Sequence, residues 1–239
     1  TTSNLDSLPW PKTNFTVVIG VTGNGYIGSL TQSSIKGDRI LLCSDNGTIS
    51  IDGTLDASGQ GCGAGTSTDD RGDSPFLHGG GFCLEHNYGG GGAHYGSGGQ
   101  GCVPPSSISA FDHELRLMKY GIKPICPDKR KVYGGLSNNV EQDEPLMSGA
   151  GGGCASPQGG NGNGGGVVVI HGKKLCLGTN NCQNGNNQAK LLATGNPGAN
   201  GGGGGGGGGS ISIEVDEVES SISSILSVKG GDGNLGNLG

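Results

Sequence analysis

The stretch Asn196–Val215, NPGANGGGGGGGGGSISIEV, sets nine consecutive glycines, Gly201 to Gly209, directly against a segment whose apolar residues alternate as in a β-strand. Glycine loses more conformational entropy on ordering than any other residue and has no side chain to bury in return. A flexible linker is one reading of such a run. The other is ordered backbone, whose N–H and C=O groups must then find partners on neighbouring segments. In polyproline II geometry the nine residues span about 28 Å at roughly 3.1 Å per residue, and chains without Cβ atoms pack closely enough to hydrogen-bond sideways. The second reading organises the rest of the chain.

Three stretches share one pattern. TISIDGTLDASGQG begins at Thr48, GGGVVVIHGKKLCL begins at Gly164 and leads to KLLATGNPG at Lys190, and GGGSISIEVDEV begins at Gly207 and leads to SILSVKGGDG at Ser224. Each holds a short β-branched or alternating strand followed by a second strand that ends in glycine. Strands are expected at residues 167–170 and 210–215. Aligning Val167 with Ser210 and Leu191 with Ile225 leaves nine extra residues in the middle copy. They fall at LCLGTNNCQNGNNQ, where Cys176 and Cys182 are close enough in sequence to staple an added loop. Units that cannot bury their own faces are expected to stack. Ile49, Ile51 and Leu55 would point inward in the first copy, and Ile211, Ile213, Val215 and Val218 in the last. Further glycine blocks stand at Gly89–Gly92, Gly151–Gly153 and Gly164–Gly166.

The fold class expected is all-β: a glycine-rich parallel β-helix-like solenoid with polyglycine II-like segments, stapled by disulfides and carrying one small inserted lobe with a short helix. The division is 1–37, an N-terminal arm and first strands; 38–102, a glycine-rich solenoid part; 103–147, a glycine-poor lobe; and 148–239, a second solenoid part. Within the lobe, SSISAFDHELRLMKYG places Phe111, Leu115 and Met118 at near-helical spacing and Gly121 as a stop. Cys102 or Cys126 would tie the lobe to the body. Units of the type GGGGGSISIEV followed by ILSVKGGDG resemble glycine-rich secreted solenoids related to right-handed β-helices, and the glycine blocks resemble the polyglycine II sandwiches of phage tail-fibre adhesins. The resemblance covers about residues 38–65 and 149–234.

Composition limits the partners. With 31% hydrophobic and 4% aromatic residues, a large oily core is hard to build, so stability must come from elsewhere. Eight cysteines, Cys43, Cys62, Cys83, Cys102, Cys126, Cys154, Cys176 and Cys182, read as four disulfides in an oxidising compartment. The sequons at Asn14 and Asn46 agree with secretion, and the opening Thr1-Thr2-Ser3-Asn4 reads as a chain whose signal peptide has been removed. A net charge of −6 leaves no basic footprint for nucleic acid, and no apolar run is long enough for a membrane span.

Candidate chemistry is sparse. Cys83, His86, His94 and Cys102 have spacings that allow zinc, but the longer gaps between them are glycine-rich and undirected, so no metal and no cofactor are expected. Asp52 and Asp56, and Asp69 and Asp70 beside Arg71, are the carboxylates a polysaccharide-cleaving β-helix would need; solvated turns explain them as well, and no catalytic residue is assigned. Arg71-Gly72-Asp73 is an integrin-type tripeptide. GGDGNLGNL near the end resembles one calcium-binding nonapeptide with Leu235 where an Asp ligand belongs. Tyr88, Tyr95 and Trp10 are candidates for stacking on sugars. The expectation is a non-enzymatic, extracellular or cell-surface structural protein that self-assembles into a fibre, coat or appendage, with the arm Thr1–Lys12 and a strand from Thr16 to Val21 reaching a neighbour. An adhesin binding surface glycans is the alternative, and a carbohydrate-active enzyme the second.

Overall fold

The computed structural model describes residues 15–21, 23–28, 33–65, 71–75, 79–84, 88–94, 97–99, 101–102, 131–132, 134–135, 146–154, 162–179, 182, 187–199 and 203–233. The secondary structure of these residues is β, with no α-helix among them. The strands are β1 (Val17–Val21), β2 (Tyr26–Gly28), β3 (Ser34–Lys36), β4 (Arg39–Ile51), β5 (Thr54–Asp56), β6 (Cys83–Leu84), β7 (Tyr88–Gly89), β8 (Gly101–Cys102), β9 (Lys131–Val132), β10 (Val167–Leu177), β11 (Lys190–Leu192), β12 (Ser210–Ser220) and β13 (Ile225–Ser227). One parallel sheet has the order β1-β4-β10-β12, with β2 also pairing β4; the second has the order β13-β11-β5-β3. β6–β7 and β8–β9 are small antiparallel pairs.

The expected β-helix-like solenoid is therefore corrected to flat, open parallel sheets. A solenoid needs coils of near-constant length that place consecutive strands side by side. Here β4 pairs β10 directly, although after Asp56 the chain returns to the sheets only at Val167. The intervening residues are spent partly on a glycine lattice and not on further rungs. The expected helix at Ser106–Gly121 and most of the 103–147 lobe lie outside the described residues. β1 also corrects the strand expected to reach a neighbour: it pairs in parallel with β4 of its own body, Val17 opposite Ile40 and Val21 opposite Ser44.

The two sheets share one thin aliphatic layer. Ile40, Leu42, Ile49 and Ile51 of β4, Leu55 of β5, Val168, Ile170, Leu175 and Leu177 of β10 and Leu191 of β11 form its buried centre. The inward parity of β10 changes between Gly172 and Lys174, where the register with β4 shifts, so even-numbered positions face the layer before the irregularity and odd-numbered ones after it. On the far face of the first sheet, Leu41, Cys43, Val167 and Val169 are covered by Phe15 and Leu146. Burial on both faces is why RILLC and VVVI read as continuous apolar runs. Val167 pairs Ser210 as expected, but Lys190 pairs Ile225 and Leu191 pairs Leu226. The offsets are thus 43 and 35, and the middle copy carries eight extra residues where nine were expected. Val218 stands beside Leu175 in register yet is 57% exposed, because no strand covers β12 on its outer side among the described residues.

The glycine blocks form the second structural unit. Gly203, Gly206 and Gly209 donate their N–H groups to the carbonyls of Ala199, Asn196 and Ala193, while Gly204 and Gly207 donate to Gly153 and Ala150. Each neighbour is met every third residue, the repeat of an extended three-fold chain. The same spacing recurs where Ala150 and Gly153 donate to Ala93 and Gly90, and where Gly90 and Ala93 donate to Phe82 and Gly79. Gly203–Gly209 is buried throughout. A Cβ on Gly205 would stand 2.1 Å from the carbonyl oxygen of Gly231, and one on Gly207 2.5 Å from that of Ala93.

Gly205→Val is therefore expected to destabilise the fold by about 1–3 kcal/mol or more, as overpacking does. Gly99→Ala is the control, since nothing lies within 4 Å of its added Cβ. Thermal melting of the two variants checks this: a marked fall for the first and little change for the second.

Candidate functional site

A cluster of polar side-chain contacts joins lattice and sheet. Ser210, the first residue of β12, is buried and donates its hydroxyl to the Met147 carbonyl at 2.7 Å. Nε2 of His94 lies 3.0 Å from the same carbonyl and 3.3 Å from Ser210 Oγ. A carbonyl can only accept, so Nε2 carries the proton and donates it. That assignment removes His94 as a general base toward Ser210, whose own proton is engaged with Met147, and makes the trio a structural clasp instead of a nucleophile pair. Burial lowers the His94 pKa from its ordinary 6.5, the hydrogen bond to Met147 opposing the shift. Neither Ser210 nor Met147 stands out in the sequence, because the contact spans residues far apart in the chain.

The cysteines do not all pair. Cys83–Cys154 and Cys176–Cys182 are disulfides, whereas Cys43 and Cys62 are free thiols, which corrects the expectation that all eight are oxidised. Cys43 is buried on the outer face of β4 among Leu41, Val167 and Val169, where hydrophobic packing and not a sulfur surrounds it. Burial, with Asp45 adding, raises its pKa; Cys62 is pushed up to about 11 by burial, with Asp73 adding. Neither thiol is an activated nucleophile. The side chains of Cys102 and Cys126 lie outside the described residues. Closing a loop of sequence separation 71 by Cys83–Cys154 is worth about 4 kcal/mol in the chain-entropy view, and the small Cys176–Cys182 loop about 2. Two disulfides point to an oxidising compartment.

The structure disperses the remaining candidates. Cys83 is committed to Cys154, which dissolves the zinc set of Cys83, His86, His94 and Cys102. Cys176, Cys182 and Glu219 bring their ligand atoms within 4.8 Å of one another, but disulfide sulfurs are not the thiolates that bind zinc. Asp52 is buried in the turn before β5, and Asp56 accepts the Ser58 N–H at 2.9 Å in the turn after it. Arg71-Gly72-Asp73 is woven into the lattice: the Arg71 guanidinium lies 4.1 Å from the Phe82 ring centroid and donates to the Gly80 carbonyl at 3.1 Å. A Cβ on Gly72 would meet Gly151 O at 2.1 Å. An arginine held this way is not displayed to a receptor. Asp69, Asp70, His86, Tyr95, Trp10, Asn14 and Leu235 lie outside the described residues, as does the Tyr88 side chain. Asn46 is exposed on β4.

Two surface features remain. An open depression of about 450 Å³ is lined by Tyr26, Thr48, Lys174 and Cys182, with Tyr26 half exposed. Its lysine is held by Glu219 at 2.5 Å and Glu217 at 3.7 Å. The other feature is the outer edge formed by β12 and β13, where Val218, Ile225, Leu226 and Val228 are 40–57% exposed. Among the described residues no helix is long and apolar enough to cross a membrane. No protein-family model, no curated protein and no solved structure matches the chain.

The clasp has a pH signature. His94 binds a proton less readily folded than unfolded, so its contribution is intact above pH 6.5 and is lost as the pH falls from there through the lower folded-state pKa. His94→Gln, which retains a donor for Met147, is expected to reduce this acid destabilisation. Denaturant titrations of both proteins between pH 7 and 5 check it.

Proposed function

We propose that the chain is a secreted structural protein, a building block of an extracellular fibre, coat or surface appendage that assembles with copies of itself. The glycine lattice is the observation that carries this reading. A buried block in which backbone packs on backbone offers little side-chain chemistry, and what it supplies is cohesion. The edge of β12 and β13, each with a single ladder neighbour among the described residues, supports self-association, since an exposed strand edge pairs readily with another chain. The two disulfides and the exposed Asn46 sequon fit an extracellular setting. A glycan-binding role is the second reading, favoured by half-exposed Tyr26 beside Thr48 and Lys174 in the open depression.

Electron microscopy and sedimentation of the purified, oxidised protein test the first reading. Polymers that grow with concentration are the expected result, and a monodisperse monomer at every concentration refutes self-assembly. Expressed through a eukaryotic secretory pathway, the protein is expected to carry a glycan on Asn46. Its mass should fall on enzymatic deglycosylation, and Asn46→Gln should abolish that component of the shift.

A further inference from the structure

The two parallel sheets end in edges that differ in charge and match in register. On one side β12 and β13 each have a single ladder neighbour among the described residues, and β12 carries Glu214, Asp216, Glu217 and Glu219 with no basic residue. On the other side β1, β2 and β3 carry one charge, that of Lys36. Two β12 edges facing each other would oppose acid to acid, which disfavours a closed two-fold pair.

Register decides what can be added instead. In the aliphatic layer, Ile19, Leu42, Ile170 and Ile213 form one row across the first sheet, and Ile27, Ile49, Leu175 and Val218 form another. In the second sheet the row is Ile35, Leu55, Leu191 and Leu226. Each row begins and ends in an aliphatic residue. Val218 and Leu226, at one end, are 57% and 51% exposed.

We propose that this edge is the docking surface for a second copy of the chain, whose β1, β2 and β3 add in parallel beside β12 and β13. Ile19 of the incoming copy then continues the row of Ile213, Ile27 that of Val218, and Ile35 that of Leu226. Three of the four acids of β12 meet no like charge: the rows of Glu214, Glu217 and Glu219 continue into Gly20, Tyr26 and Gly28. Eleven residues of β12 offer about 36 Å of edge at roughly 3.3 Å per residue. A contact between two different edges does not close, so copies add head to tail, each leaving the same edge open for the next. The inference rests on the self-assembling reading and names its interface.

The double variant Val218→Lys with Leu226→Lys tests it, because both side chains are exposed in the monomer and charge on a strand edge blocks pairing. The expected result is a protein that melts as the wild type does, with its critical concentration for polymer raised by about tenfold or more. It keeps its own β1–β3 edge, so added in small proportion to wild type it should cap growing ends and shorten the polymers. A variant that polymerises as wild type does overturns the interface while leaving the structural reading in place. One that fails to assemble alone but leaves wild-type polymer length unchanged overturns the head-to-tail arrangement. Wild type that stays monomeric removes both.

Discussion

A Cβ on Gly204 would stand 2.0 Å from the carbonyl oxygen of Gly90, one on Gly206 2.0 Å from that of Asn163, and one on Gly165 2.1 Å from that of Ala193. Backbone packed on backbone so closely that no Cβ fits between is the constraint on which the rest depends. Each glycine brings two hydrogen-bonding groups within reach of different neighbours, and the three-residue period distributes them around the chain. Among the side chains at the lattice are four methyls, those of Ala93, Ala150, Ala193 and Ala199, all nearly inaccessible. Cohesion here comes from satisfied peptide groups in a buried interior, where leaving one unpaired is expensive.

The sheets inherit their alignment from this block. Gly166 donates to the Ala57 carbonyl and Val167 to that of Asp38, so the last lattice residue before β10 is already bonded to the chain that flanks β4 and β5. Gly209 donates to Ala193 and Ser210 to Gly166, which fixes the entry of β12 beside β10 in the same way. Further along, Gly195 and Gly198 donate to Lys229 and Asp232, so the chains leaving β11 and β13 remain neighbours beyond the strands. Short strands such as β11 and β13 would hold a register weakly by themselves; bonds continuing on the lattice side reinforce it.

Much of the architecture was legible where a residue type has one physical use. Nine glycines before SISIEV announced close backbone packing, and the alternation of Ile49, Ile51 and Leu55 announced the buried face they occupy. The alignment of Val167 with Ser210 could be read because both follow a glycine block. Leu191 with Leu226 was missed by one residue, since three-residue strands give too little alternation to fix a phase. The solenoid was the wrong generalisation from real repeats: strand units recur, but the chain between β5 and β10 builds lattice instead of coils. At the candidate site, Cys43 illustrates the limit. An even cysteine count suggested a bond, while burial among Leu41, Val167 and Val169 uses the thiol as a small apolar residue.

Many bonds in the lattice join segments distant in sequence, as Gly92 with Gly205 and Gly153 with Gly90 show. Such contacts return little until the intervening loops have closed, and closing them costs entropy that no local structure offsets. Cys83–Cys154 lies where this cost is concentrated. It ties the 79–94 segment to the 149–154 segment, the same two that Gly153 and Gly90 join through the backbone. Once that bond forms, the rest of the interface between them is nearly intramolecular in the local sense, and the nine-glycine run has a preformed surface on which Gly204 and Gly207 can dock. Oxidation is thereby coupled to the ordering of polyglycine, which links the disulfide of a small-cored chain to the packing that replaces its missing core.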